Sequence, residues 1–284
     1  MGKNLFYGKV SAILAGIISL IAIICTGKGI WDSSTYGDLV SLKRLSENLY
    51  YASVAQDISM LLISVILLIL SAFYLHKNSA KILTAIIGLV WCEFYSFGLY
   101  VIQGQYTDIY YLYLVIFGLS IYGMIFGLLR FNGIQEGSVM LPPKIVRWAG
   151  GFLLLILCLM IPLWVMRMIP NIVARIPSET YGVFVMDLGI VFPAIAFIVV
   201  LLFRNKAFGK ILAGVALIKT CSLCLTWGFA ELYGPLLRHI PIVPEMVGTS
   251  AFFTIMSGIL LVPYFRTLKI EKNQGEFFPN KTAT

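Results

Sequence analysis

Residues 57–75 read DISMLLISVILLILSAFYL, and the chain continues with His76 and Lys77. From Ile58 to Leu75 no side chain carries a charge. Those eighteen residues at about 1.5 Å of helical rise each reach roughly 27 Å, close to the roughly 30 Å of hydrocarbon in a bilayer. A helix on a water-soluble core needs a polar face. This run has only a few hydroxyls, at Ser59, Ser64, Ser71 and Tyr74. It reads as a membrane span.

Seven more apolar runs flank it, at 10–27, 82–102, 109–129, 148–168, 181–203, 211–230 and 246–265. Each is far longer than the roughly ten-residue strands of an outer-membrane barrel. The expected fold is therefore all-α, a polytopic integral membrane protein with eight transmembrane helices. The composition agrees: of 284 residues, 60% are hydrophobic and 12% charged, with mean hydropathy +0.92. Soluble chains carry about 25% charged residues. A soluble fold is excluded, and so is disorder, which needs low hydrophobicity and high charge.

The first run follows Lys3 and Lys9, as a signal peptide would, but Ile24-Cys25-Thr26-Gly27 is a poor cleavage site. An uncleaved helix is expected. Met1-Gly2 is followed by Phe6 where myristoylation needs Ser or Thr.

Eight helices put both termini on one side. With the N-terminus inside, the inner segments hold fourteen Lys and Arg, from Lys3 and Lys9 through Lys77, Lys81, Arg130, Lys144 and Arg147 to the C-terminal group. The outer segments hold six: Lys28, Lys43, Arg44, Arg167, Arg175 and Arg238. Acidic residues run the other way, with Asp32, Asp38, Glu47, Asp108, Glu179, Glu231 and Glu245 outside. The positive-inside bias implies cytoplasmic termini. The net charge of +8 is then explained by anionic lipid headgroups, and no nucleic-acid partner is called for.

The outer segment 28–56 places Leu39, Leu42, Leu45 and Leu49 among charges, as in an amphipathic helix lying on the interface. Its role is either a cap on the bundle or a lid. All five cysteines, Cys25, Cys92, Cys158, Cys221 and Cys224, fall in spans. Cys221-x-x-Cys224 has redox spacing, yet it sits mid-helix in lipid, away from anything that stabilises a thiolate. His76 and His239 lie near opposite faces, so no metal site is expected, and no cofactor motif appears.

The halves share a pattern. Tyr51-Ala52 with Asp57 matches Tyr181-Gly182 with Asp187, and Lys81-Ile82-Leu83 with Cys92 matches Lys210-Ile211-Leu212 with Cys221. This predicts two parallel four-helix repeats, 1–130 and 148–266, joined by a cytoplasmic linker at 131–147 and followed by a tail at 267–284. The first half has no proline in its spans. The second has Pro162, Pro193 and Pro263, candidate kinks or hinges.

A charge inside a span is costly and marks a candidate site. Lys219 lies nine residues past Lys210 and Glu93 twelve past Lys81, which puts them roughly 13 and 18 Å along their helices. Asp187 enters from the outer side, with Asp57 its counterpart at the outer boundary. Lys219 is expected to face Glu93 or Asp187, either as a structural ion pair or as a site binding an anionic group or moving a proton. Tyr95, Ser96, Thr220, Ser222, Thr226 and Trp227 could line the same cavity. Gly123-x-x-x-Gly127 reads as close helix packing.

Asp187-Leu188-Gly189 with Pro193, Leu201-Leu202, Arg204, Gly209 and Lys219 resembles a pattern in bacterial multipass membrane proteins of no established activity. The resemblance covers the sixth and seventh spans and implies a bacterial plasma membrane without a mechanism. The leading functional reading is a small-solute carrier. One alternative is a membrane enzyme acting on a lipid or isoprenoid head group, with Asp187 as acid/base and Lys219 holding the anion. Another is a non-catalytic assembly or sensory subunit. The partners implied are the bilayer and a small-molecule or lipid ligand. A carrier needs a cavity reaching the charges from one side, an enzyme needs converging carboxylates at a lateral opening, and a structural role needs neither.

Overall fold

The computed structural model describes residues 2–270. Eight of its helices are long and apolar enough to cross a membrane: α1 (Lys3–Trp31), α3 (Glu47–Lys77), α4 (Ala80–Ile102), α5 (Tyr110–Leu129), α6 (Pro143–Ala174), the sixth span Tyr181–Phe203, α9 (Ala207–Arg238) and α10 (Pro244–Thr267). The chain is an all-α polytopic membrane protein. Most helices extend beyond the apolar runs.

The sixth span is broken. A short α7 (Tyr181–Met186) passes into a π-helical turn, Asp187–Val191, and then α8 (Phe192–Phe203). Within the turn the Phe192 N–H donates to the Asp187 carbonyl, five residues back. The cause is local: Pro193 has no N–H for the Gly189 carbonyl and its ring presses on that carbonyl, so the helix widens just before it.

The outer segment forms a shorter helix than its leucine spacing suggests. α2 (Ser34–Ser41) has two turns, and Lys43, in the left-handed region at φ 55°, ends it. Leu39 and Leu45 are buried, Leu42 is exposed, and Leu49 already belongs to α3. Within 131–147 the strand β1 (Val139–Met140) pairs antiparallel with β2 (Lys269–Ile270), just past α10. Of the tail expected at 267–284, residues 271–284 lie outside the described residues.

The first four spans pack closely, α1 against α3 and α5, and α4 against α3 and α5. Gly127 makes one approach possible: a Cβ there would sit 2.6 Å from Ile87 and 2.9 Å from Ser11, whose hydroxyl donates to the Gly123 carbonyl at 2.8 Å. Helix α9 packs on α3, α4, α8 and α10, and α6 on α8 and α10.

The two ends of the bundle differ. At the lysine-rich end, Lys81 Nζ donates to the Phe265 carbonyl at 2.7 Å, Lys210 Nζ to Val139 at 3.2 Å and Tyr264 to Lys210 at 2.7 Å. Glu136 accepts from the Ala207 N–H at 2.9 Å and caps α9. The acidic end is tied at its rim, where Ser46 donates to Glu179 at 2.9 Å and Arg238 to Glu47 at 3.2 Å and to Asn48.

Candidate functional site

Lys219 projects from the middle of α9 and Asp187 from the first residue of the π turn. Both are buried at the base of a cavity of about 290 Å³, framed by α3, α4, α6, α7, α8, α9 and α10. Gln103, Arg167, Thr180 and Glu231 line its other end. These sit where α4, α6 and α9 near their C-termini and just before α7 begins, so the cavity opens at the acidic end. Glu231 is twelve residues from Lys219 on α9 and Thr180 seven before Asp187, so Lys219 lies roughly 18 Å and Asp187 roughly 10 Å below the mouth.

The base is a charged cluster in aromatic walls. Lys219 Nζ lies 4.6 Å from the centre of the Tyr95 ring and 5.8 Å from that of Trp91. Attraction to the ring faces offsets part of the cost of burying the ammonium. Trp164, on α6 two residues beyond Pro162, donates its indole N–H to Asp187 Oδ2 at 2.7 Å. The Tyr95 hydroxyl adjoins the same carboxylate, whose charge acts on Lys219. Among the described residues the two charges make no direct ion pair. Ile156, Met160, Phe184, Phe192 and Leu223 give the chamber an apolar wall. Arg167, at the mouth, stacks over Trp164 at 5.4 Å.

No family model matches the chain, and no curated protein or solved structure matches it. The chemistry of the cavity must be read from its own residues.

The sequence expectation of one central site divides in space. Tyr95, Thr220, Thr226, Trp227 and Cys224 line the cavity with Lys219 and Asp187; Ser96, Ser222 and Cys221 do not. The Cys221 thiol reaches the Thr254 carbonyl on α10 at 3.7 Å.

Glu93 lies apart. It is fully buried on a different face of α4 from Tyr95, with Oε1 2.7 Å from the Ser64 hydroxyl on α3 and Oε2 unpartnered. Ser64 also reaches the Met60 carbonyl at 2.7 Å and has one proton to give. A proton on Glu93 satisfies both contacts. Depth along a helix was legible in the sequence, but Glu93 and Tyr95, two residues apart, point in directions about 200° apart.

Asp57 is also separate, and is buried within the bundle. Its carboxylate accepts from Tyr36 of α2 at 2.6 Å and Tyr100 of α4 at 2.9 Å, with Tyr113 of α5 3.5 Å from Tyr36. The carboxylate thus anchors the outer helix to the bundle. Tyr100 links the two centres because it also lines the cavity. Sequence reasoning missed Trp164, Arg167 and the π turn. Pro193 was the available signal for the π turn, and Pro162 lies two residues before Trp164 in a helix that stays continuous from Pro143 to Ala174.

Proposed function

We propose that the protein is a small-solute carrier of the plasma membrane, with its acidic end outside and the cavity open to that side. The observation that carries this is one cavity reaching from the mouth to Lys219 and Asp187. At about 290 Å³ it falls at the lower end of the roughly 300–1,000 Å³ of small-molecule sites. That is too small to enclose a two-chain lipid. A single carboxylate at its base disfavours the enzymatic reading, which needs several converging on a reacting bond. The lysine-rich end supports an outward-open state, because the Lys81, Lys210 and Tyr264 contacts tie α4, α9 and α10 together there.

The neighbour pattern supports a duplication. The pairs α1–α3, α1–α5, α3–α4 and α4–α5 have counterparts in α6–α8, α6–α10, α8–α9 and α9–α10, and α3–α9 has one in α4–α7. Helices α4 and α9 then flank a pseudo-twofold axis along the membrane normal. On this reading Asp57 and Asp187 are equivalents, one capped by tyrosines and the other open to the cavity.

The test is solute uptake into proteoliposomes, with solutes drawn from the spent medium of a deletion strain. Wild type is expected to accumulate a solute that Lys219→Met does not. Equal uptake by both would remove the cavity from the mechanism.

A further inference from the structure

The base of the cavity presents one cation and one carboxylate that the protein keeps close without pairing. Tyr95 and Trp91 hold the Lys219 ammonium by their faces, so its N–H donors find no acceptor among the described residues. Asp187 receives the Trp164 N–H on Oδ2 and has the Tyr95 hydroxyl beside it, which leaves about two of the roughly four acceptor sites of a carboxylate. Both groups line the cavity.

This arrangement selects by charge. A monoanion drawn to Lys219 is repelled by Asp187, and a monocation drawn to Asp187 is repelled by Lys219. A neutral solute leaves both charges short of hydrogen-bonding partners they had in water. A compact zwitterion meets both, and the balance is strong because the groups are buried, where screening is weak. Around the charges, Ile156, Met160, Phe184, Phe192 and Leu223 offer apolar contact, and the other charged residues on the lining are Arg167, stacked on Trp164, and Glu231. The volume beyond the two charges leaves room for a large side chain.

We infer that the site takes an α-amino acid zwitterion with a large apolar side chain. The carboxylate meets Lys219, the ammonium meets Asp187, and the side chain lies on the wall of Phe184, Phe192 and Leu223. This rests on reading the cavity as a solute site and adds the class of solute.

The experiment measures binding of L-phenylalanine, 3-phenylpropanoate, 2-phenylethylamine and glycine by calorimetry to the full chain in nanodiscs at neutral pH. L-Phenylalanine is expected to bind about tenfold or more tighter than each of the other three, since each lacks one charge or the side chain. Asp187→Asn is expected to weaken L-phenylalanine and strengthen 3-phenylpropanoate, reversing their order. Leu223→Trp fills the chamber and keeps both charged residues. It is expected to lose L-phenylalanine while keeping the wild-type melting temperature, which separates lost binding from misfolding. If 3-phenylpropanoate binds wild type as tightly as L-phenylalanine, or no member of the set binds, the amino-acid assignment is overturned. Parallel uptake into proteoliposomes separates the two readings. Binding of L-phenylalanine without transport refutes the carrier and leaves the ligand class, whereas transport of 3-phenylpropanoate alone refutes the ligand class and leaves the carrier.

Discussion

Lys219, Asp187, Glu93 and Asp57 are all charged residue types inside membrane spans, but their surroundings assign them different work. Lys219 and Asp187 meet a cavity, whereas Glu93 meets Ser64 and Asp57 meets two tyrosines. Glu93→Gln keeps the shape and hydrogen-bonding capacity of a protonated Glu93. It is expected to change stability by less than about 1 kcal/mol and to leave solute binding unchanged. Asp57→Ala removes the acceptor of the Tyr36 hydroxyl and leaves Tyr100 only the Ser53 carbonyl at 3.1 Å, and is expected to cost about 1–3 kcal/mol. Reversible unfolding in mixed micelles measures both. A large loss of binding in Glu93→Gln would return that residue to the site. Outside the membrane, Asp32 has its carboxyl lowered from 3.8 to about 2 by the Ser34 hydroxyl first and the Lys28 ammonium second. A lowered folded value means the contact contributes above the unfolded pKa and is lost as pH falls through the folded one. Hydrogen exchange in α2 should therefore be steady from neutral pH to about 4 and quicken towards 2, once the intrinsic rate is divided out.

At the scale of elements, the sixth span is where a local irregularity sets the chemistry. The π turn at Asp187–Val191 sits between α7 and α8, and Gly189 within it has open space where a Cβ would be. Deleting Gly189 removes the extra residue of the widened turn, lets it close as regular α-helix and re-aims Asp187 within it. Asp187 then leaves Trp164 and the cavity, while the apolar length of the span is almost unchanged. The variant is expected to insert at wild-type levels and to lose ligand binding, read by membrane fractionation and calorimetry together. Retained binding would mean that the turn is only a packing adjustment. Helix α2 illustrates the opposite balance, because its docking depends on the single buried Tyr36–Asp57 contact more than on its own two turns.

For the whole molecule, the two ends are built differently. The lysine-rich end is latched by several hydrogen bonds to backbone carbonyls, and the acidic end by one such bond, from Tyr181 to Ile102, and by exposed side-chain pairs such as Arg238–Glu47. Exposed pairs contribute about 0–1 kcal/mol each. Arg238→Ala should therefore barely change stability, and the cavity end is the one poised to rearrange. Orientation is checked by single cysteines in a background with the native cysteines replaced. Thr180→Cys, at the mouth, should react with a membrane-impermeant maleimide in intact cells, and Glu136→Cys only after lysis. The reverse pattern would invert the proposed topology.

Hydropathy and charge placement carried the eight spans, because a run such as Ile58–Leu75 has one stable environment whatever surrounds it. The same scarcity of charge pointed to Lys219 and Asp187 as exceptions, since a membrane admits few. The partners of those charges were beyond reach of the sequence. Which helix faces which depends on rotation about each axis, and an apolar helix with no strong polar face leaves that angle to packing. Only the tertiary structure decided that Tyr95 turns towards Lys219 and Glu93 away from it. It likewise brought Trp164 across from α6 to Asp187, and left a cavity beside Lys219 and Asp187.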